Sequence, residues 1–155
     1  MPVYQLHNGK LREAADCYGH AGGNENAEII DSVRSYVSRG FRHVRVQIGV
    51  PGMAGYGAGR AGAAPAKSLH NSPVYEPLPY IRRALKMFEA CRKDLGEEIE
   101  LLHDVHERVT PNQAVQFCKD VEKFKLFFME DPLSPEDIAY FRQIRQQCAT
   151  PIAMG

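Results

Sequence analysis

The 155-residue sequence predicts an α/β protein built on a parallel sheet, and three observations carry that prediction. Short apolar runs alternate with amphipathic helical patterns in the order strand, helix, strand, helix. The runs are near-continuous in apolar residues, as strands covered on both faces must be. The helix-to-strand links ("RGFR", "LGEE", "EKF") are short, whereas the segment after the second strand, at about residues 51–76, is long. Elaboration therefore collects at one end of the sheet, the end where parallel α/β folds build their sites. A barrel and a doubly wound sheet both satisfy this pattern. No G-x-G-x-x-G follows the first strand and no Walker motif occurs, which removes support from nucleotide-binding versions.

The elements follow in order. "AADCYGHA" (14–21) reads as the first strand, and in "NENAEIIDSVRSYVSRG" the residues Ile29, Ile30, Val33, Tyr36 and Val37 recur at helical spacing before Gly40. "HVRVQIGV" (43–50) is the second strand, and Ile81, Leu85 and Phe88 mark one face of the next helix, which stops at Gly96. "IELLHDVH" (99–106) is the third strand. Thr110, Pro111 and Gln113 then combine an N-cap, a first-turn proline and a capping-box partner, so a helix starts there and runs to Val121. "FKLFFMEDP" (124–132) is the fourth strand, Ser134-Pro135 opens a helix bearing Ile138, Phe141 and Ile144, and "PIAMG" begins a fifth strand.

Composition narrows the function classes. With 44% hydrophobic residues the chain can build one core, and 19 basic residues balance 19 acidic ones. No net field exists to hold nucleic acid or an anionic membrane surface. The N-terminus lacks an apolar signal core and no run approaches the ~20 apolar residues of a membrane span, so a cytoplasmic protein is expected. Cys17, Cys91, Cys118 and Cys148 form no C-x-x-C pair and read as reduced, buried thiols.

Alternation along strands locates a site. Leu102, Asp104 and His106 fall on one face, and Leu126, Phe128 and Glu130 on one face of the next strand. The same rule groups Tyr18 with His20 and Arg45 with Gln47. Four successive strands thus end in polar or charged residues, the arrangement a barrel enzyme needs. Asp104 and Glu130, with no cysteine nearby, suit a hard divalent cation, Mg2+ above all. A rival arrangement sets His103 and His106 at i, i+3 on a helix as zinc ligands. The Gly/Ala/Pro-rich segment at 51–76 is expected to be mobile and offers Tyr56, Arg60, His70 and Tyr75 to the strand ends as a lid.

The motifs "LLHDVHERVTPNQA", "LFFMEDPLSPED" and "RVQIGVPG...YG" resemble the mannonate dehydratase group of the enolase superfamily, which includes proteins named as starvation-sensing. The resemblance runs from "YQLHNGKLRE", similar to the junction between that family's capping domain and its barrel, to "PIAMG" at the fifth strand. It implies an incomplete TIM-type (β/α) barrel, with about five strands and four helices of the eightfold fold. Residues 1–13 would be the junction from a capping domain, and residues 14–155 the N-terminal half of the barrel. The implied activity is Mg2+-dependent dehydration of a sugar acid, D-mannonate to the 2-keto-3-deoxy acid, by a homo-oligomeric full-length parent. The resemblance makes Asp104 and Glu130 metal ligands, with a third carboxylate following Gly155. Arg45 and Tyr56 match the family's base pair, with Tyr75 as the second candidate, His106 matches the acid that assists hydroxide departure, and His20 a substrate-binding histidine. Two carboxylates without the third leave the ion under-coordinated, so residues 1–155 alone are expected to be inactive. Alternatives are a dehydratase for another acid sugar, and a non-catalytic, starvation-sensing regulator on the same scaffold.

Overall fold

The computed structural model describes residues 1–7, 9–49, 76–136 and 138–154. Five strands, β1 (Tyr18–Gly23), β2 (His43–Ile48), β3 (Glu100–Asp104), β4 (Phe128–Glu130) and β5 (Ile152–Ala153), alternate with four helices. The helices are α1 (Asn26–Ser38), α2 (Pro77–Leu95), α3 (Pro111–Asp120) and α4 (Ile138–Gln147). All strand pairs are parallel and the order is strictly sequential, β1-β2-β3-β4-β5. That order decides between barrel and doubly wound sheet. Right-handed crossovers that all step in one direction place every helix on the same face, whereas a doubly wound sheet requires a reversal of strand order. The side chains agree: Val44, Val46, Ile48, Leu101, Val105 and Met129 share one core with Ile29, Val33, Phe88, Phe117 and Ile144 of the helices. The sheet is an arc of a TIM-type (β/α) barrel, as the family resemblance implies.

Local chemistry explains most boundaries. The predicted Thr110–Gln113 capping box is present, with Gln113 Oε1 accepting from the Thr110 backbone N–H at 3.0 Å. Helix α1 is capped by the pair Glu25 and Glu28, which a search for Ser, Thr, Asp or Asn does not find. Helix α1 also reaches β1 closely, because a Cβ at Gly19 would lie 2.3 Å from the Tyr36 ring. Only glycine permits that approach.

Two strands start later than expected. The first starts at Tyr18 rather than residue 14, because β2 offers no partner before His43 and Asp16 is occupied by the Cys17 N–H (3.1 Å) and Arg42 (2.9 Å). The fourth starts at Phe128, since Glu122–Phe124 forms a 3-10 turn and Lys125 is left-handed at φ 49°. Leu126 therefore joins the helix-covered core and does not share a face with Phe128 and Glu130. Among the cysteines, Cys91 and Cys118 are buried, as expected, with thiols pushed up to about 11 and about 12 by burial. Cys17 is exposed, contrary to expectation, because it precedes the strand.

Arg92, in the last turn of α2, ties three elements together. Its guanidinium donates to the carbonyls of Phe124 (2.7 Å), Gly96 (3.0 Å), Ile99 (2.8 Å) and Lys125 (3.0 Å), fixing the ends of β3 and β4 that lead into the sheet. Replacing it leaves those acceptors without their donor, so Arg92→Met is expected to lower stability by about 3 kcal/mol in urea unfolding. A change within about 0.5 kcal/mol would show that solvent substitutes for the clamp.

Candidate active site

The C-terminal ends of β1 to β4 deliver polar side chains to the face turned away from the helices. Register sets Arg45 between His20 and Leu102, and Asp104 beside Glu130. Asp104 is the centre, and it is only 3% exposed. Its Oδ2 accepts from Arg45 Nη1 at 2.6 Å and contacts His106 Nε2, while Oδ1 accepts the His106 backbone N–H at 2.9 Å. Gln47 Nε2 donates to the Asp104 carbonyl at 2.7 Å. Arg45 reaches the other way as well, with Nη2 3.1 Å from His20 Nδ1. The ring of Tyr18 stacks on His20 at 5.2 Å.

His106 meets Asp104 as the sequence predicts, but by a different route. Strand β3 ends at Asp104, and His106 and Glu107 both take left-handed φ, 54° and 56°. That turn, rather than the pleat, folds the imidazole back onto the carboxylate. Two adjacent non-glycine residues in this region cost about 1–2 kcal/mol each, strain of the kind found at functional sites. The Glu107 N–H donates to the Asp131 carbonyl at 2.9 Å, and Asp131 is itself left-handed at φ 43°. Burial lowers the pKa of His106, and the adjacent Asp104 charge opposes that shift.

Glu130, beside Asp104, is less fully satisfied. Its Oε2 is buried and has no hydrogen-bond partner among the described residues. Burial raises its pKa, and the charge of Asp104 raises it further, against the opposing pull of Arg45. Two carboxylates side by side, one with an unused buried oxygen, fit a hard divalent cation. The described residues contain no group of three candidate ligands, so they would supply two protein donors to such an ion.

Other expectations resolve differently. His103 cannot join His106 at a zinc site, because it lies in β3 and faces the helices, fully buried. There its Nδ1 lies 2.7 Å from the Val46 carbonyl and its Nε2 2.7 Å from the Tyr80 hydroxyl, and burial pushes its pKa down to about 4. This tether of α2 to β2 and β3 escapes sequence reasoning, although an odd-numbered histidine on an apolar strand face is its signal. Tyr56, Arg60, His70 and Tyr75 lie outside the described residues. A cavity of about 210 Å³ lined by Cys17, Tyr18, His43 and Phe127 sits at the opposite, N-terminal ends of the strands, where this fold keeps stability rather than chemistry.

A parallel sheet in barrel order, with paired carboxylates and basic groups at its C-terminal strand ends, defines a (β/α)-barrel protein with a polar site at the end where this fold builds its chemistry. Residues 28–155 match the family model described as Enolase C-terminal domain-like, and the chain belongs to that family. A D-galactonate dehydratase family member of Paenibacillus sp. (strain JDR-2) is 41% identical over all of this chain and 38% of its own length. A D-mannonate dehydratase of Caulobacter sp. (strain K31) is 41% identical over all of this chain and 40% of its own length. The structure of an enolase from Pantoea ananatis with bound D-gluconate and Mg superposes with a TM-score of 0.85 at 36% identity, covering 99% of this chain and 40% of that one. The chain thus spans about two fifths of the length of the relatives it matches.

The raised pKa of Glu130 has a consequence for stability. A carboxyl whose folded pKa exceeds its unfolded value binds more protons when folded, so stability falls as pH rises from the ordinary 4.5 through the folded value. In metal-free buffer Glu130→Gln is therefore expected to raise the urea midpoint at pH 7, with the gain vanishing below about pH 4. A lower midpoint at neutral pH would mean that the carboxylate is stabilised by its surroundings.

Proposed function

We propose that the full-length protein is a Mg2+-dependent sugar-acid dehydratase that converts D-mannonate to 2-keto-3-deoxy-D-gluconate. The observation that carries this reading is the in-register pair Asp104–Glu130, with Glu130 Oε2 unpartnered among the described residues and Arg45 and His106 held on Asp104. In this reading Asp104 and Glu130 hold the ion, together with a carboxylate from outside residues 1–155, water and the substrate. When bound, the ion supplies charge stabilisation at the substrate carboxylate as the α-proton leaves.

The remaining work falls to side chains. Tyr56 takes the proton α to the carboxylate, and the permanent charge of Arg45 favours its phenolate, since free tyrosine titrates only near pH ~10. His106 delivers a proton from its ring to the departing β-hydroxyl, which leaves as water, and the resulting enol rearranges to the 2-keto acid. Burial opposes the imidazolium that this step needs, and the adjacent Asp104 charge works against that opposition. His20 binds the substrate from β1. Residues 1–13 join a capping domain to the barrel, a role that suits the exposed side chains of Val3, Leu6 and Leu11. The enzyme is cytoplasmic and homo-oligomeric in this reading, and among the described residues no helix is long and apolar enough to cross a membrane.

A second substrate is favoured by specific observations: relatives bear the D-galactonate dehydratase family name, and the Pantoea ananatis structure holds D-gluconate. A purely regulatory role on the same scaffold is disfavoured by the joint retention of His20, Arg45, Asp104, His106 and Glu130. The test is turnover by the full-length protein of D-mannonate, D-gluconate and D-galactonate, with Mg2+ and with chelator. Mannonate is expected to react fastest, and chelator to abolish the rate. Glu130→Gln should lower kcat/KM by about 10³-fold or more while the fold persists. Unchanged turnover in that variant would remove Glu130 from the site.

A further inference from the structure

The hydrogen bonds around the site define the protonation of two histidines without reference to any titration. A guanidinium carries N–H donors and no acceptor, so the His20 Nδ1 that faces Arg45 Nη2 at 3.1 Å must present a lone pair. A neutral His20 then bears its proton on Nε2. His103 is the reverse case. The Val46 carbonyl can only accept, so His103 Nδ1 carries the proton and its Nε2 accepts from the Tyr80 hydroxyl. Two imidazoles on the strands either side of β2 are thus held in opposite tautomers.

The lock on His20 comes from Asp104. Arg45 Nη1 is anchored on Asp104 Oδ2 at 2.6 Å, and because the guanidinium is planar and rigid, that anchor aims Nη2 at His20. The charged groups facing His20 are Arg45 on the adjacent strand β2 and, behind it, Asp104 on β3; Tyr18 on β1 contributes its ring face. His20 is exposed, and no other hydrogen bond of its ring is present among the described residues.

We propose that Arg45 is a positioning residue that locks His20 as a neutral Nε2–H donor, so that His20 offers an oxygen of the bound acid a hydrogen bond and cannot act as a base. The single in-plane lone pair of the neutral ring is already taken by Arg45. Whatever binds at His20 must bring an acceptor, either a carboxylate or a hydroxyl oxygen. A sugar acid carries both. This inference rests on the sugar-acid reading for the identity of the ligand, but the tautomer itself does not.

The experiment is two-bond 1H–15N correlation spectroscopy of 15N-histidine- and 15N-arginine-labelled protein near neutral pH, with the His20 signal assigned by its loss in His20→Gln. Expected are Nε2–H on His20, Nδ1–H on His103 in the same spectrum, and a scalar coupling from His20 Nδ1 across the hydrogen bond to the Arg45 guanidinium. In Arg45→Met the coupling disappears and the two His20 nitrogens shift toward averaged values, while the His103 pattern persists and reports an intact fold. A proton on His20 Nδ1 in the unaltered protein overturns the proposal, and so does a His20 pattern unchanged in Arg45→Met. The unaltered protein decides the matter even where the variant does not fold. In the full-length enzyme, His20→Gln keeps an N–H donor and should raise KM with little loss of kcat. A fall in kcat of about 10²-fold or more at unchanged KM would reveal a proton-transfer role and overturn the proposal. Absent turnover of any sugar acid would instead defeat the dehydratase reading and leave the spectral result standing.

Discussion

A carboxylate that is almost wholly buried must have its charge met by donors, and Asp104 organises its surroundings for that reason. Removing a charge from water costs several kcal/mol unless hydrogen bonds and opposite charge offset it. The Asp104 carboxylate meets the demand with Arg45 from β2 and with the ring and backbone N–H of His106, while Gln47 satisfies the backbone carbonyl of the same residue. Two constraints supply these donors. Arg45 and Gln47 alternate on β2, so one strand supplies both. His106 arrives only because the chain after β3 turns left-handed. The cost of that turn is offset by the contacts it makes possible, which is why two non-glycine residues remain in a region that side chains avoid.

The opposite face of β3 shows why the arrangement can be rigid. His103 faces the helices and ties Val46 of β2 to Tyr80 in the first turn of α2, so the strand is gripped on the side away from the site. Tyr80, Phe88 and Phe117 pack their rings around the same imidazole. Adjacent residues of one strand thus have opposite tasks. His103 is neutral, enclosed and mechanical, while Asp104 is charged and turned to the concave face. A site on a strand held in this way keeps its geometry better than one on a loop.

Much of this is legible in the sequence because it depends on local periodicity. Apolar runs and helical spacing reveal the element order, and the Thr110–Gln113 pair marks the start of α3 to the residue. Parity along the strands places Asp104 beside Glu130, and registry bears this out. What escapes is whatever depends on partners distant in sequence. Lys125 is left-handed in the structure although nothing in "EKFKLF" requires it, so the parity of Leu126 reads wrongly. Asp131 and Arg108, which act electrostatically on Glu130 and His106, follow their more conspicuous neighbours and carry no pattern of their own. His103 and His106 look equivalent in "HDVH", yet a strand sends one to the helices and a turn returns the other to the carboxylate.

The same logic explains why the site's histidines are not interchangeable. An imidazole takes its role from what its neighbours can donate or accept, rather than from its intrinsic acidity. His103 sits between a carbonyl and a hydroxyl and becomes a strut. His20 faces a guanidinium and is left with one donor. His106 faces a carboxylate, whose charge favours a positive ring while burial opposes it. Of the three, His106 alone touches a carboxylate, and that carboxylate, Asp104, also orients Arg45 toward His20. One buried carboxylate thereby sets apart a candidate acid and a candidate donor about a single cleft.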